Sequence, residues 1–204
     1  TIRKKLIEVF PEDVEIWIDA ATLEKNCKNF KGMDQVLREA TTKLPNEEIL
    51  WLMAAKERWL QGDVTGARTV LEEAFSANPE NEDIWLAAFK LEFENEELER
   101  ASLLLKNARN REGGDKTNSA RVWMKSAVCA RQMNDAEEER EVLKKGRALH
   151  PNFWKLWIMS GQLEEREKKY SEARKIYDLG LKKCPDSSPM WIAKARLDVL
   201  EKKF

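Results

Sequence analysis

Six tryptophans recur along this 204-residue chain at nearly constant spacing, and no other feature limits its fold so strongly. Trp17, Trp51, Trp85, Trp123, Trp157 and Trp191 are separated by 34, 34, 38, 34 and 34 residues. Five of them follow a proline by six residues: Pro11, Pro45, Pro79, Pro151 and Pro185. Only the segment TNSARVW, ending at Trp123, lacks the proline. A period of this length marks a repeat architecture, in which one unit cannot bury its apolar faces alone and neighbours must stack.

Counting from each Trp gives columns with a chemical meaning. The residue before it is Ile16, Leu50, Ile84, Val122, Leu156 or Met190, and the residue after it is Ile18, Leu52, Leu86, Met124, Ile158 or Ile192. Three and four positions on come mostly small residues, as in Ala20-Ala21, Ala54-Ala55 and Ser160-Gly161. Six on lies Leu23, Glu57, Leu91, Cys129, Leu163 or Leu197. At about 100° per residue these positions cover most of a helix, so the first helix of each unit is sandwiched between neighbours. A second pattern follows, with Ala67, Val70, Leu71 and Ala74 at 16, 19, 20 and 23 after the Trp, repeated by Ala173, Ile176, Tyr177 and Gly180. That is the i, i+3, i+4, i+7 stripe of a one-faced amphipathic helix. Gly62-Asp63 marks a turn between the two helices, and each proline stands just past the second, where a missing N–H suits a boundary.

The expected fold is therefore all-α: a right-handed α-solenoid of antiparallel helix pairs, first helices inside and second helices outside. One solenoid is expected over residues 1–204. Residues 1–10 close a preceding repeat, 11–44, 45–78, 79–116, 117–150 and 151–184 are full repeats, and 185–204 begins another. The 79–116 unit carries four extra residues in KNARNREGGDKTNS, and Gly113-Gly114 predicts a solvent loop there. The chain starts without Met and stops partway through a repeat, which is expected of a piece of a longer protein.

Lys and Arg number 36 against 37 Asp and Glu, interspersed, so the basic excess that phosphate-driven nucleic-acid binding requires is missing. No run of 18 apolar residues predicts a membrane span. Cys27, Cys129 and Cys184 have no paired spacing, which favours a reducing compartment. No phosphate loop, nucleophile elbow or HExxH motif occurs, and His150 stands alone without metal-ligand spacing. An enzyme is not expected.

The Trp, small-pair, Ala, large-apolar, Ala and Pro columns resemble tetratricopeptide units. One column departs from them: seven after the Trp, where Tyr would be usual, stand Glu24, Glu92, Glu164 and Asp198, with Arg58 and Ala130 as exceptions. This resembles the half-a-tetratricopeptide (HAT) variant, whose members belong chiefly to RNA processing. The stretches ILWLMAAKERWLQGDVTGAR, NPENEDIWLAAFKLE, RVWMKS and GLKKCPDSSPMW are similar to the pre-mRNA-splicing factor 6 family. The resemblance implies a nuclear scaffold without catalytic chemistry that bridges snRNP proteins in tri-snRNP assembly, with no cofactor, no small-molecule substrate and little RNA contact. Alternatives within its reach are a scaffold of 3′-end cleavage or ribosome biogenesis, or direct RNA binding along the inner groove. A carboxylate-clamping co-chaperone is disfavoured because the column after the Trp is wholly apolar.

The acidic column lies within roughly 20° of the Trp face, so its carboxylates need partners. Arg174 is the expected partner of Glu164, and Arg68 occupies the matching position one repeat before Glu92. Three aromatic residues stand outside the main column. Trp59, Phe93 and Trp154 are expected to pack between repeats, and each is also a candidate anchor for a partner.

Overall fold

A computed structural model of the chain describes residues 2–110 and 119–201, with side chains over 5–110 and 119–200. The Gly113-Gly114 loop lies outside them. The described residues form twelve α-helices and no strand. They are α1 (Ile2–Val9), α2 (Val14–Asn26), α3 (Phe30–Lys43), α4 (Glu48–Leu60), α5 (Val64–Ala77) and α6 (Glu82–Glu94), followed by α7 (Leu98–Asn110), α8 (Ala120–Gln132), α9 (Ala136–Leu149), α10 (Trp154–Arg166), α11 (Tyr170–Lys183) and α12 (Ser188–Glu201).

The chain divides into two compact units, Thr1–Asn95 and Glu96–Phe204. In the first, α2 pairs with α3 and α4 with α5, while α6 lies against α5 and α4. In the second, α8 pairs with α9 and α10 with α11, α7 lies against α8, and α12 packs on α11 and α10. Stacked helix pairs of this kind are an α-solenoid, as the repeat requires.

Each pair is made by a local stop and restart. The position eleven after the Trp has positive φ in all five repeats: Lys28, Gly62, Glu96, Asn134 and Lys168. Only Gly62 takes that conformation without a Cβ penalty. Around Gly62 its own N–H bonds the Trp59 carbonyl and the Asp63 N–H bonds the Arg58 carbonyl, and the turns at Lys28, Asn134 and Lys168 repeat this pattern. The end of the first helix is thereby capped as in a Schellman turn. Asn29, Asp63 and Asp135 then cap the second helix, each side chain accepting from the N–H three residues on.

The columns settle into the core largely by type. Ala20, Ala21, Leu50, Ile84, Val122 and Leu156 are buried, with Leu37, Leu71, Leu105, Leu143 and Tyr177 from the second helices. Leu23 departs from its column and is 57% exposed, since little in the described chain packs over that side of α2. Trp191 and Ile192 are also largely exposed, because among the described residues only α10 and α11 pack against α12.

Candidate functional site

The spacing of six between proline and tryptophan has a direct cause. The indole N–H donates to the carbonyl of that proline from Trp17, Trp51, Trp85, Trp157 and Trp191, at 2.9, 2.8, 3.2, 2.8 and 2.9 Å. A buried indole needs an acceptor, and the helix start supplies one six residues upstream. The same carbonyl also holds the end of the repeat: Asn78 donates to that of Pro45 at 2.8 Å, and the Cys184 thiol to that of Pro151 at 3.7 Å. Trp123 lacks the proline, and its buried Nε1 has no partner among the described residues.

Two further columns join each repeat to the next. In three repeats the residue 24 after a Trp sits on the following Trp ring. Phe75 lies 4.5 Å from Trp85, and the guanidinium carbons of Arg109 and Arg147 lie 5.6 and 5.0 Å from the rings of Trp123 and Trp157. Burial pulls the Arg147 guanidinium below its usual range, and Glu164 acts in the opposite direction. The stripe-based reading missed this column, whose signal was Phe, Arg and Arg where a one-faced helix calls for aliphatic residues.

The acidic column is paired in a fixed register. Arg68 grips the buried Glu92 with two bonds of 2.8 and 2.7 Å, and Arg140 grips Glu164 at 2.8 and 3.3 Å. Arg174 reaches Asp198 at 2.7 Å. Arg174 is thus not the partner of Glu164: the arginine of one repeat serves the acid of the next, 24 residues on. Arg140 is held above its usual range chiefly by the hydrogen bond to Glu164, against the opposing pull of burial. Arg58 and Ala130 obey the same rule. Arg58 meets Asp34 at 2.6 Å, the pair with its signs reversed, and the position matching Ala130 in the preceding repeat is the uncharged Ser102. Glu24 instead accepts from Asn29 at 2.7 Å.

Where successive first helices meet, the side chains that fill the junction come from different columns in different repeats. Between α8 and α10 these are Arg131, Glu139 and Arg166, and both arginines bond the Glu139 carboxylate, which is only 1% exposed. Glu139 stands in a column otherwise filled by Met33, Ala67, Ala101 and Ala173, so its burial was not anticipated from the stripe. Between α2 and α4 the bridge is Lys25–Glu57 at 2.6 Å. Between α10 and α12 the filler is Tyr177, whose hydroxyl donates to Glu165 at 2.5 Å. Burial and that bond push the phenol well above the usual tyrosine range. Gly161 makes the space, because a Cβ there would stand 2.2 Å from the Tyr177 ring.

Between α4 and α6 nothing fills the gap. Leu52, Trp59, Leu60, Ala67, Leu71 and Leu91 line an apolar cleft of about 390 Å³. Lys56, Lys90 and Glu94 complete its lining, and the Lys90 ammonium lies 5.7 Å over the Trp59 ring. Of the three candidate anchors, only Trp59 lines this cleft. Phe93 is half-buried against Phe89 at 5.2 Å, and Trp154 packs against the cluster of Trp157, Ala173 and Tyr177 with Lys155 over its ring.

Among the described residues no group of three His, Cys, Asp or Glu side chains could hold a metal ion, and no helix is long and apolar enough to cross a membrane. Cys129 and Cys184 are held above the usual thiol range by burial, and Cys27 is exposed. The His150 Nε2 is buried without a partner among the described residues.

Comparison with known proteins agrees with this geometry. Tetratricopeptide-repeat family profiles match residues 58–127 and 154–197. The chain is 52% identical over 59 residues to Protein STABILIZED1 of Arabidopsis thaliana, a match covering 29% of this chain and 5% of that protein's length. Among solved structures, PilF of Pseudomonas aeruginosa superposes with a TM-score of 0.60 at 18% identity, covering 100% of this chain and 88% of that one. YrrB, described as a tetratricopeptide protein with an unusual peptide-binding site, superposes with a TM-score of 0.57 at 17% identity, covering 96% and 98%. The helix pairs of this chain are tetratricopeptide-like repeats, an architecture that typically serves as a non-catalytic scaffold for protein interactions.

Proposed function

We propose that this chain is part of a nuclear, non-catalytic scaffold of the HAT type that bridges snRNP proteins in tri-snRNP assembly during pre-mRNA splicing. The observation that carries this reading is the acidic column. Glu92, Glu164 and Asp198 each receive an arginine from the preceding repeat, and this explains why an acid stands where an ordinary tetratricopeptide unit has Tyr. The quoted resemblances to the splicing factor 6 family narrow the HAT reading to splicing. The even balance of 36 basic and 37 acidic residues favours protein partners over RNA.

Affinity purification of the full-length protein from nuclear extract, with identification of what accompanies it after nuclease treatment, tests the proposal. Recovery of tri-snRNP proteins is expected. Recovery of 3′-end-cleavage or ribosome-biogenesis components alone, or loss of all partners on RNA digestion, overturns it.

A further inference from the structure

We infer that the cleft between α4 and α6 is a docking site for an acidic peptide segment of a protein partner, which inserts one or two large apolar side chains beside Trp59. The inference rests on the scaffold part of the proposed function and not on its splicing assignment.

The internal repeat supplies the reference against which this cleft is unusual. At three junctions between first helices the chain fills the position itself: with Met33 and the Lys25–Glu57 bridge, with the Arg131–Glu139–Arg166 cluster, and with Tyr177 on Glu165. Between α4 and α6 no such filler stands: Ala67 and Ala87 are as small as Ala173 and Ala193 at the Tyr177 junction, and the column of Tyr177 holds Leu71. Ala67 stands in the column of Met33 and Glu139, and Ala87 in the column of Met159. The space beside them stays lined by Leu52, Trp59, Leu60, Leu71 and Leu91, and its volume of about 390 Å³ lies in the range of ligand pockets. Leu60 at the mouth is 64% exposed, an apolar side chain left in water.

The rim selects the charge of the guest. Lys56 and Lys90 flank the opening, and both are exposed. Glu94 is the single carboxylate at the rim and sits 3.7 Å from the Lys90 ammonium, which leaves the Lys56 side of the opening positive. An apolar floor with cationic edges matches a segment with Leu, Met, Phe or Trp set among Asp and Glu. A basic amphipathic segment would meet like charge at the rim.

A randomised peptide display library panned on the 204-residue chain tests this. The selected sequences should carry large apolar residues flanked by Asp or Glu. Their affinity should fall at least tenfold in Ala67→Met/Ala87→Met, which fills the cleft with the residue that Met33 and Met159 place in those columns. In Lys56→Glu/Lys90→Glu, which alters only exposed side chains, affinity should fall about tenfold and be regained by peptides with Lys in place of the acids. Far-UV circular dichroism checks that each variant is folded. Failure to enrich any sequence, or enriched peptides that bind both variants within twofold of the parent, overturns the inference. So does a self-association in sedimentation velocity that the filling variant abolishes, because the guest would then be a second copy of the chain. Peptide binding without snRNP proteins in the nuclear purification leaves the cleft intact and removes the splicing assignment, whereas the converse removes the cleft alone.

Discussion

Between α8 and α10 the junction between first helices is closed by a buried carboxylate held by two arginines, while between α4 and α6 the same columns hold Trp59, Ala67 and Glu94 and stay open. The helices around both junctions are alike in length and turn, and their second helices are alike in cap. Three side chains therefore decide whether a junction is a cross-link or a cleft. A repeat fold can assign one junction to cohesion and another to recognition without altering its backbone, since each junction depends only on its neighbours.

The largest expected effect comes from stripping the closed junction. In Arg131→Ala/Arg166→Ala the Glu139 carboxylate stays buried with no cation, and the second unit should lose about 3–5 kcal/mol, read as a lower urea midpoint by circular dichroism. A loss below about 1 kcal/mol would mean that Glu139 escapes to water and that the two junctions differ less than described. The column tryptophans sharpen the contrast next. Trp157→Ala should cost about 3–5 kcal/mol, and Trp85→Ala, whose ring is only half-buried, visibly less. Equal losses would show that the open side of α6 contributes more to cohesion than its exposure suggests.

A smaller effect tests the shared 24-residue register. Glu92→Ala removes the carboxylate that Arg68 grips with two bonds and should cost about 1–3 kcal/mol, whereas the exchange Arg68→Glu/Glu92→Arg should recover most of that loss, because Asp34 and Arg58 already display the reversed pair. A double variant no more stable than the single one would show that the polarity of each pair is fixed by its surroundings. The smallest effect is one of pH. The folded-state pKa of Tyr177 is raised, and an unfolded tyrosine ionises near about pH 10. The stability it contributes is therefore complete below that value and is lost as pH rises above it. Tyr177→Phe should flatten the alkaline side of the unfolding curve, and an unchanged alkaline slope would remove Tyr177 as its source.

Much of this was legible in the chain itself. Trp period, small pairs and Ala stripes place every first and second helix, because these columns report burial, and burial repeats when the backbone does. What escaped depended on contacts between repeats. Glu164 was assigned to Arg174 by looking within one repeat, although the acid faces the helix before it. Glu139 breaks an Ala column, which looks like a surface exception until Arg131 and Arg166 are found on two different helices. Trp59 was visible as an extra aromatic, but its cleft is made by the lack of a filler beside Ala67 and Ala87, and a missing volume has no signature in any single column. The Pro–Trp spacing was the plainest signal, and its cause, a carbonyl, carries no side-chain code.

The differing sign of the register pairs in the first repeats has one more consequence. Asp34 faces Arg58, Arg68 faces Glu92, and uncharged Ser102 precedes uncharged Ala130. Placed directly before the repeat of Glu92, the repeat that ends with Asp34 would set two carboxylates together. The repeat that begins with Arg58 and ends with Arg68 could not follow itself without setting two guanidiniums together. Like charges penalise such neighbours, so the pairs of the first units act as an address that restricts which of them can follow which. The order of these units is thereby written into the chain as a sequence of plugs and sockets, and shuffled or duplicated arrays of the first three units should assemble less well than the natural order.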